Sequence, residues 1–518
     1  MIRQTARITL GLCAWVLAWG LSSGNSHAGI GTEIEWKACR FPGIPTDVQC
    51  GSLNRALDPA APNGLRIEVR LVVLPALSRR KLPDPVFVVA GGPGQSAIAV
   101  MPQAVGLLSR LNSRRDLVFV DQRGTGQSAP LRCPNPLRDS LGAQSDPDRQ
   151  VDLYLACRDR LARLEYVQSV DNLRYFTTPL AVQDLDAVRQ ALQAERINLV
   201  GSSYGTRVIL EYQRQFPQRA RRSVLDGVAP ADMALPFSVA TDAQASFEAL
   251  MALCAPGSAC HRSHPSLRQD WDGLLAGLPR PVVVAHPLTG EAEAFEMTRH
   301  AVLSMTRGAL YSPALASALP QAISDAARGN FAGMVALGGL LPGRKATALA
   351  MGLHFTVVCA EDFPRLAQST DRPGPDFGRA FSSIYERVCR DWPRANLPAD
   401  YGRAVHSPNP VLILSGGLDP VTPPRHAERS LLALGSVASG GLAVHRVVPN
   451  AGHGVLSLGC MRDALFRFVD ASDDRQAVAS AQQIECGNDF PRVPAFRPVG
   501  RRPSSASTGS AAPAESAR

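Results

Sequence analysis

Residues 65–74, Leu-Arg-Ile-Glu-Val-Arg-Leu-Val-Val-Leu, alternate apolar and charged positions as a half-buried strand does. Residues 85–90 and 116–120 are nearly continuous apolar runs, and each passes into a Gly-rich loop: Gly91-Gly-Pro-Gly-Gln-Ser96 and Asp121-Gln-Arg-Gly-Thr-Gly-Gln-Ser128. Residues 180–192 have helical spacing, 197–200 form a short apolar strand, and 206–216 read as a second helix with Val208, Leu210, Tyr212 and Phe216 apolar. Residues 223–227 continue the strand series. Apolar strands alternating with amphipathic helices predict a mainly parallel sheet covered on both faces. From about residue 231 to 405 the pattern changes to Ala-, Leu-, Pro- and Gly-rich helices and loops, residues 281–285 being an exception. Strands resume at 410–415 and 442–448. The expectation is an α/β core (29–230 and 406–497) interrupted by a mostly helical cap (231–405). Residues 29–64 read as loop-rich and 498–518 as a disordered low-complexity tail.

Arg3 and Arg7 precede an apolar run, residues 8–21, and Ser26-His27-Ala28 is an A-x-A-like cleavage site, so residues 1–28 read as a secretory signal. The run is too short and Gly-interrupted for a lasting span, so no stable membrane insertion is expected after cleavage. Export, secreted or periplasmic, changes the reading of cysteine. Of eleven, Cys13 leaves with the signal and ten remain, enough for five disulfides in an oxidising compartment. Sequence proximity suggests Cys39–Cys50, Cys133–Cys157, Cys254–Cys260, Cys359–Cys389 and Cys460–Cys486. The net charge of +9 comes almost wholly from scattered Arg. It lacks the clustering and aromatic interleaving of a nucleic-acid stripe, so no nucleic-acid partner is expected.

The chemistry centres on Gly201-Ser202-Ser203-Tyr204-Gly205, set between a strand and a helix. That context makes G-x-S-x-G a nucleophile elbow, in which a sharp turn exposes Ser203 and requires small flanking residues. A serine hydroxyl needs a base to remove its proton and an acid to orient the base. His453, in the Gly-flanked loop Pro449-Asn-Ala-Gly-His-Gly454 after an apolar strand, is the base candidate. Asp419, in Ser415-Gly-Gly-Leu-Asp-Pro-Val-Thr-Pro423, is the favoured acid, with Asp226 at the end of a core strand as competitor. The order Ser, Asp, His is that of α/β-hydrolases. An oxyanion hole needs two N–H donors. The Tyr204 amide at the helix start is one, and the loop 91–94 is placed to offer the other. No metal or cofactor is expected: no Cys/His spacing suits zinc, and the Gly-rich loops lack the Lys-Ser/Thr of a phosphate-binding loop.

In this order and spacing, G-G-P-G-Q-S, D-Q-R-G-T-G-Q-S, G-S-S-Y-G, G-G-L-D-P-V-T-P and N-A-G-H-G resemble the exported tripeptidyl aminopeptidase and prolyl aminopeptidase-like branch of the α/β-hydrolases, over about residues 38–490. The resemblance implies a serine exopeptidase with a helical cap between strands ending near Asp226 and beginning near Val411, and Gly92 as the second oxyanion donor. Prolyl iminopeptidases commonly carry His before G-G-P-G and Trp after the nucleophile. Ala90 and Tyr204 stand there in this chain, which suits the tripeptidyl-type branch better. Glu361 and Asp362, in Val358-Cys-Ala-Glu-Asp-Phe363, resemble that branch's Cys-x-acid segment and are the candidates to hold a substrate's free ammonium group, with a helix-capping or surface pair as the alternative. Three functions remain open: an aminopeptidase, an esterase-type hydrolase of small acyl compounds, and an inactive binding fold, against which the intact Ser203, Asp419 and His453 argue.

Overall fold

The computed structural model describes residues 34–134, 140–339, 349–487 and 490–495. The segments expected as signal (1–28) and disordered tail (498–518) lie outside the described residues. Eleven strands are present among them: β1 Glu35–Cys39, β2 Val48–Ala56, β3 Arg66–Leu74, β4 Val86–Val89, β5 Leu117–Val120, β6 Ile197–Ser202, β7 Ala220–Asp226, β8 Arg280–Ala285, β9 Ala292–Met297, β10 Val411–Gly416 and β11 Ala443–Val448. Nine form one sheet in the order β1-β2-β3-β5-β4-β6-β7-β10-β11. From β5 to β11 every pairing is parallel, and β1, β2, β3 and β5 are joined antiparallel at one edge.

Successive strand residues face opposite sides of the sheet. Phe87 and Val89 of β4 thus enter one apolar cluster with Val118, Leu199 and Ile413, while Val86 and Val88 enter another with Phe119, Val200, Leu412 and Leu414. Both faces are covered, which is why these strands are apolar throughout rather than alternating. The loop-rich expectation for 29–64 is corrected, since this stretch supplies β1 and β2. β2 (Val-Gln-Cys-Gly-Ser-Leu-Asn-Arg-Ala) is polar for a strand, but its ladder with β3, from Gln49↔Val73 to Ala56↔Arg66, overrides weak local propensity.

β7 and β10 are paired neighbours, in register from Val411↔Ser223 to Leu414↔Asp226, so everything between them is an insertion at that step of the sheet. It contains the helices Leu235–Ala252, Leu267–Ala276, Arg299–Leu310, Leu319–Ala327 and Ser382–Asp391, together with the antiparallel β8–β9 hairpin. Its own apolar cluster is built on Phe247, Trp271, Leu303, Phe331 and Phe377. The expected strand at 281–285 is present as β8. Five disulfides follow the nearest-neighbour pattern, Cys39–Cys50, Cys133–Cys157, Cys254–Cys260, Cys359–Cys389 and Cys460–Cys486. Among the described residues no helix is long and apolar enough to cross a membrane.

Candidate active site

Ser203 sits between β6 and the helix Tyr204–Gln215 with φ 56° and ψ −130°, a conformation non-glycine residues rarely adopt. The turn is held by the Ser203 N–H donating to the Asp226 carbonyl (2.8 Å) and by the Ser203 carbonyl accepting from the Thr206 N–H (2.9 Å) and hydroxyl (2.6 Å). Packing explains both glycines of the motif. A Cβ on Gly205 would lie 2.5 Å from the Val89 carbonyl oxygen, and one on Gly201 would lie 2.8 Å from Ile209 Cδ1 and 3.0 Å from the Gly205 carbonyl oxygen.

His453 follows β11 and Asp419 follows β10, adjacent strands whose C-terminal loops meet. His453 Nδ1 donates to Asp419 Oδ2 at 2.8 Å, which leaves Nε2 as the proton acceptor. Asp419 is fully buried, and its other partners are the amides of Val421 (2.8 Å) and Thr422 (2.9 Å) and the Thr422 hydroxyl (2.9 Å). Burial alone would raise the Asp419 carboxyl, but the His453 ring and these amides hold it below the ordinary carboxylate range. Burial would likewise lower His453, and the Asp419 carboxylate overrides it, lifting the imidazole above its usual value. Asp226, the competing acid, is engaged elsewhere. It accepts from the amides of Val455 (2.9 Å) and Leu456 (3.1 Å), so it fixes the loop after His453 rather than the ring.

Ser203, His453, Tyr204 and the loop 91–94 line one cavity of about 1850 Å³, larger than the ~300–1,000 Å³ of small-molecule sites. The Ser203 hydroxyl makes no hydrogen bond among the described residues. Apo sites commonly tighten only with substrate. Gly92, at φ 111°, lies in that loop, and no bond among the described residues uses its N–H or that of Tyr204. The two Gly-rich loops are tied together. Asp121 accepts from the Ser96 hydroxyl (2.6 Å) and the amides of Ile98 and Gln127 (both 3.1 Å). Gly126 is required there because a Cβ would fall 1.7 Å from Asp121 Oδ2. The D-Q-R-G-T-G motif is therefore scaffolding, with Arg123 buried against Asp184 at 2.7 and 2.9 Å.

Glu361 and Asp362 stand apart from the cavity. Asp362 takes both Nη atoms of Arg207, from the elbow helix, at 3.0 Å each. Glu361 accepts from the Thr178 amide (2.7 Å), the Thr178 hydroxyl (2.8 Å) and Tyr401. Neither carboxylate is exposed and neither lines the cavity. The two carboxylates expected to hold a substrate ammonium group are turned in this structure to the elbow helix, which they brace. Sequence reasoning missed Thr422, which the Thr-Pro after Asp419 signals only weakly, and Tyr311. The Tyr311 ring stands edge-on to His453 at 5.2 Å, and its carbonyl accepts from the His453 N–H (3.0 Å); no local pattern marks it.

Residues 84–256 match the family model described as the alpha/beta hydrolase fold. With the sheet order and the elbow, this defines the class of fold: the chain has the α/β-hydrolase fold. Residues 374–475 match the model described as TAP-like protein. Over 226 residues, 42% of this chain and 42% of the relative, it is 29% identical to a tripeptidyl aminopeptidase of Streptomyces lividans. Over 274 residues, 49% of this chain and 51% of the relative, it is 30% identical to the serine protease Hip1 of Mycobacterium tuberculosis. The chain is thus related to the tripeptidyl aminopeptidases and Hip1 serine proteases, and it spans about half the length of the curated relatives it matches. Among solved structures, proline iminopeptidase of Mycobacterium smegmatis superimposes with a TM-score of 0.35 at 17% identity, over 83% of this chain and 99% of that one.

Proposed function

We propose that the chain is an exported serine hydrolase of the aminopeptidase type, releasing short N-terminal peptides or residues through an acyl-enzyme. The observation that carries this reading is the Asp419–His453 pair opening, with the strained Ser203, onto one large cavity. His453 Nε2 takes the proton as Ser203 Oγ attacks the substrate carbonyl, and the developing oxyanion is held by the Gly92 and Tyr204 amides. His453 then returns the proton to the leaving amine, and a water repeats the sequence to free the acyl portion. Asp419 fixes the ring in the tautomer with Nε2 free and stabilises the imidazolium.

Kinship with a tripeptidyl aminopeptidase and a serine protease favours peptides over esters as substrate. The five disulfides support an oxidising, non-cytoplasmic location. The test is fluorophosphonate labelling of the protein and of Ser203→Ala, followed by hydrolysis of free and N-blocked peptidyl-anilides beside short-chain nitrophenyl esters. Label that survives Ser203→Ala refutes the nucleophile. Faster turnover of esters or blocked peptides than of free peptides replaces the aminopeptidase by an esterase or endopeptidase.

A further inference from the structure

The helix Arg299–Leu310 of the insertion turns one face to the catalytic cavity. His300, Ser304, Arg307 and Tyr311, just past the helix end, recur at helical spacing and all line that cavity. No carboxylate lies on this stripe. Burial holds the His300 imidazole below its ordinary value, and its ring contacts the Ala380 carbonyl and the Ser304 hydroxyl. The stripe therefore carries one formal charge, the Arg307 guanidinium.

Arg307, half-buried on the cavity wall, differs from the buried arginines. Arg123 and Arg207 each meet a carboxylate, and Arg222 is met by four backbone carbonyls. Arg307 forms no ion pair with any described residue. Among the described residues one Nη1 contact, to the Tyr311 hydroxyl at 3.1 Å, is its one hydrogen bond, and its Nε is buried with no acceptor there. A guanidinium has five N–H donors, and leaving them unmade in a partly desolvated place is costly. The group is nevertheless held in place, with its centre 5.6 Å from the Tyr311 ring and 5.2 Å from the Phe381 ring. An oriented cation with free donors on a substrate cavity is the arrangement that receives a carboxylate.

Its place gives the side of the scissile bond. Arg307 leans on Tyr311, and Tyr311 packs against His453, the group that protonates the leaving amine. We propose that this stripe is a subsite for a carboxylate on the leaving portion of the substrate, with Arg307 donating to it. This rests on the serine-hydrolase reading above and deepens it: the preferred substrates are short peptides whose leaving, C-terminal portion is anionic. The carboxylate has two possible sources, the peptide's C-terminus or an acidic side chain.

The test uses peptides sharing one acyl portion. In the first pair the leaving portion ends in a free acid or an amide. In the second, both amide-ended, it carries Asp or Asn. A third pair places Asp or Asn in the acyl portion. At least one leaving-side pair is expected to favour the carboxylate by about tenfold or more in kcat/KM, through KM, and the responding pair identifies the source. Arg307→Gln brings that ratio close to one, and Arg307→Lys keeps part of it. Flat leaving-side ratios in the unaltered protein, a ratio unchanged in Arg307→Gln, or a response confined to the acyl-side pair overturns the subsite. Calorimetric binding of the acid and amide peptides to Ser203→Ala needs no turnover, so the subsite is tested even if hydrolysis fails. Absent labelling of Ser203 and absent hydrolysis of every substrate would sink the hydrolase reading instead.

Discussion

Replacing Asp362 by Asn separates a brace from a substrate ligand. The Asp362 side chain has no exposed surface and Arg207 has 1%, so the pair is cut off from solvent screening. The carboxylate supplies the two 3.0 Å contacts to the guanidinium, whereas the carbonyls of Ala229, Pro230 and Met233 are more distant at 3.3–3.4 Å. Removing one partner of such a pair costs about 3–5 kcal/mol because a charge is left buried and uncompensated. Glu361 Oε2, 3.7 Å from Arg207, takes up part of that loss and sets the expectation at the lower end, about 3 kcal/mol. The double variant Arg207→Met, Asp362→Leu removes both charges and should recover most of the loss, since apolar replacement of a buried pair is often close to neutral. Urea unfolding of the unaltered protein and of these two variants supplies the stability comparison, and kcat/KM on free and N-blocked peptides supplies the functional arm. A stability loss under about 1 kcal/mol, joined to a raised KM for free-amine peptides only, would show the carboxylate facing substrate and refute the brace.

Ser203→Ala should lower kcat by ~10⁶-fold with unchanged circular dichroism; comparable turnover in the variant would remove the elbow serine from the chemistry. Because Asp419 lifts His453 above the ordinary value of about 6.5, and only the unprotonated ring acts as base, the acidic limb of kcat/KM should have its midpoint above that pH. Asp419→Asn should move the limb of the residual activity to lower pH and cut kcat by ~10⁴-fold. A midpoint at or below the ordinary value in the unaltered protein contradicts the pairing. Gly92→Ala forces a side chain onto φ 111° and puts a Cβ 2.6 Å from the Gly94 nitrogen. With the oxyanion donor displaced, kcat should fall about 10²–10³-fold at nearly constant KM, and a change in KM alone would argue against that role for the loop.

The core strands and the loops that meet at the cavity were legible because each leaves a local mark. A strand buried on both faces must be apolar throughout, and an elbow must have small residues where Val89 and Ile209 approach. The edge strands β1 and β2 were not legible, because a polar sequence was recruited by its neighbour and by Cys39–Cys50. The surroundings of Glu361 and Asp362 were illegible for a different reason. An acidic pair in an apolar segment has the same sequence whether it faces a ligand or an arginine. Arg207, more than 150 residues earlier, is the partner that decides, and only the fold brings the two together. Asp419 was already favoured over Asp226 by its Gly-rich loop; the fold adds that Asp419 meets the His453 ring while Asp226, at the end of β7, meets the amides after it.

These contacts make the insertion more than a cover for the cavity. It reaches the elbow helix and His453 at two separate points. At one, Glu361 and Asp362 hold Arg207 and Thr178, and Thr178 in turn bonds the Tyr204 hydroxyl at 2.7 Å, so the first turn of the elbow helix is fixed from within the insertion. Cys359–Cys389 ties that segment to the helix Ser382–Asp391. At the other, the Tyr311 carbonyl and ring hold His453. The proposed nucleophile and base are thus each steadied by the part of the chain that also shapes the cavity. A site must be held to about 0.5 Å to work. Changes in the insertion near either point will therefore alter turnover together with selectivity, and selectivity is freest to vary on stretches of the cavity wall that touch neither Arg207 nor His453.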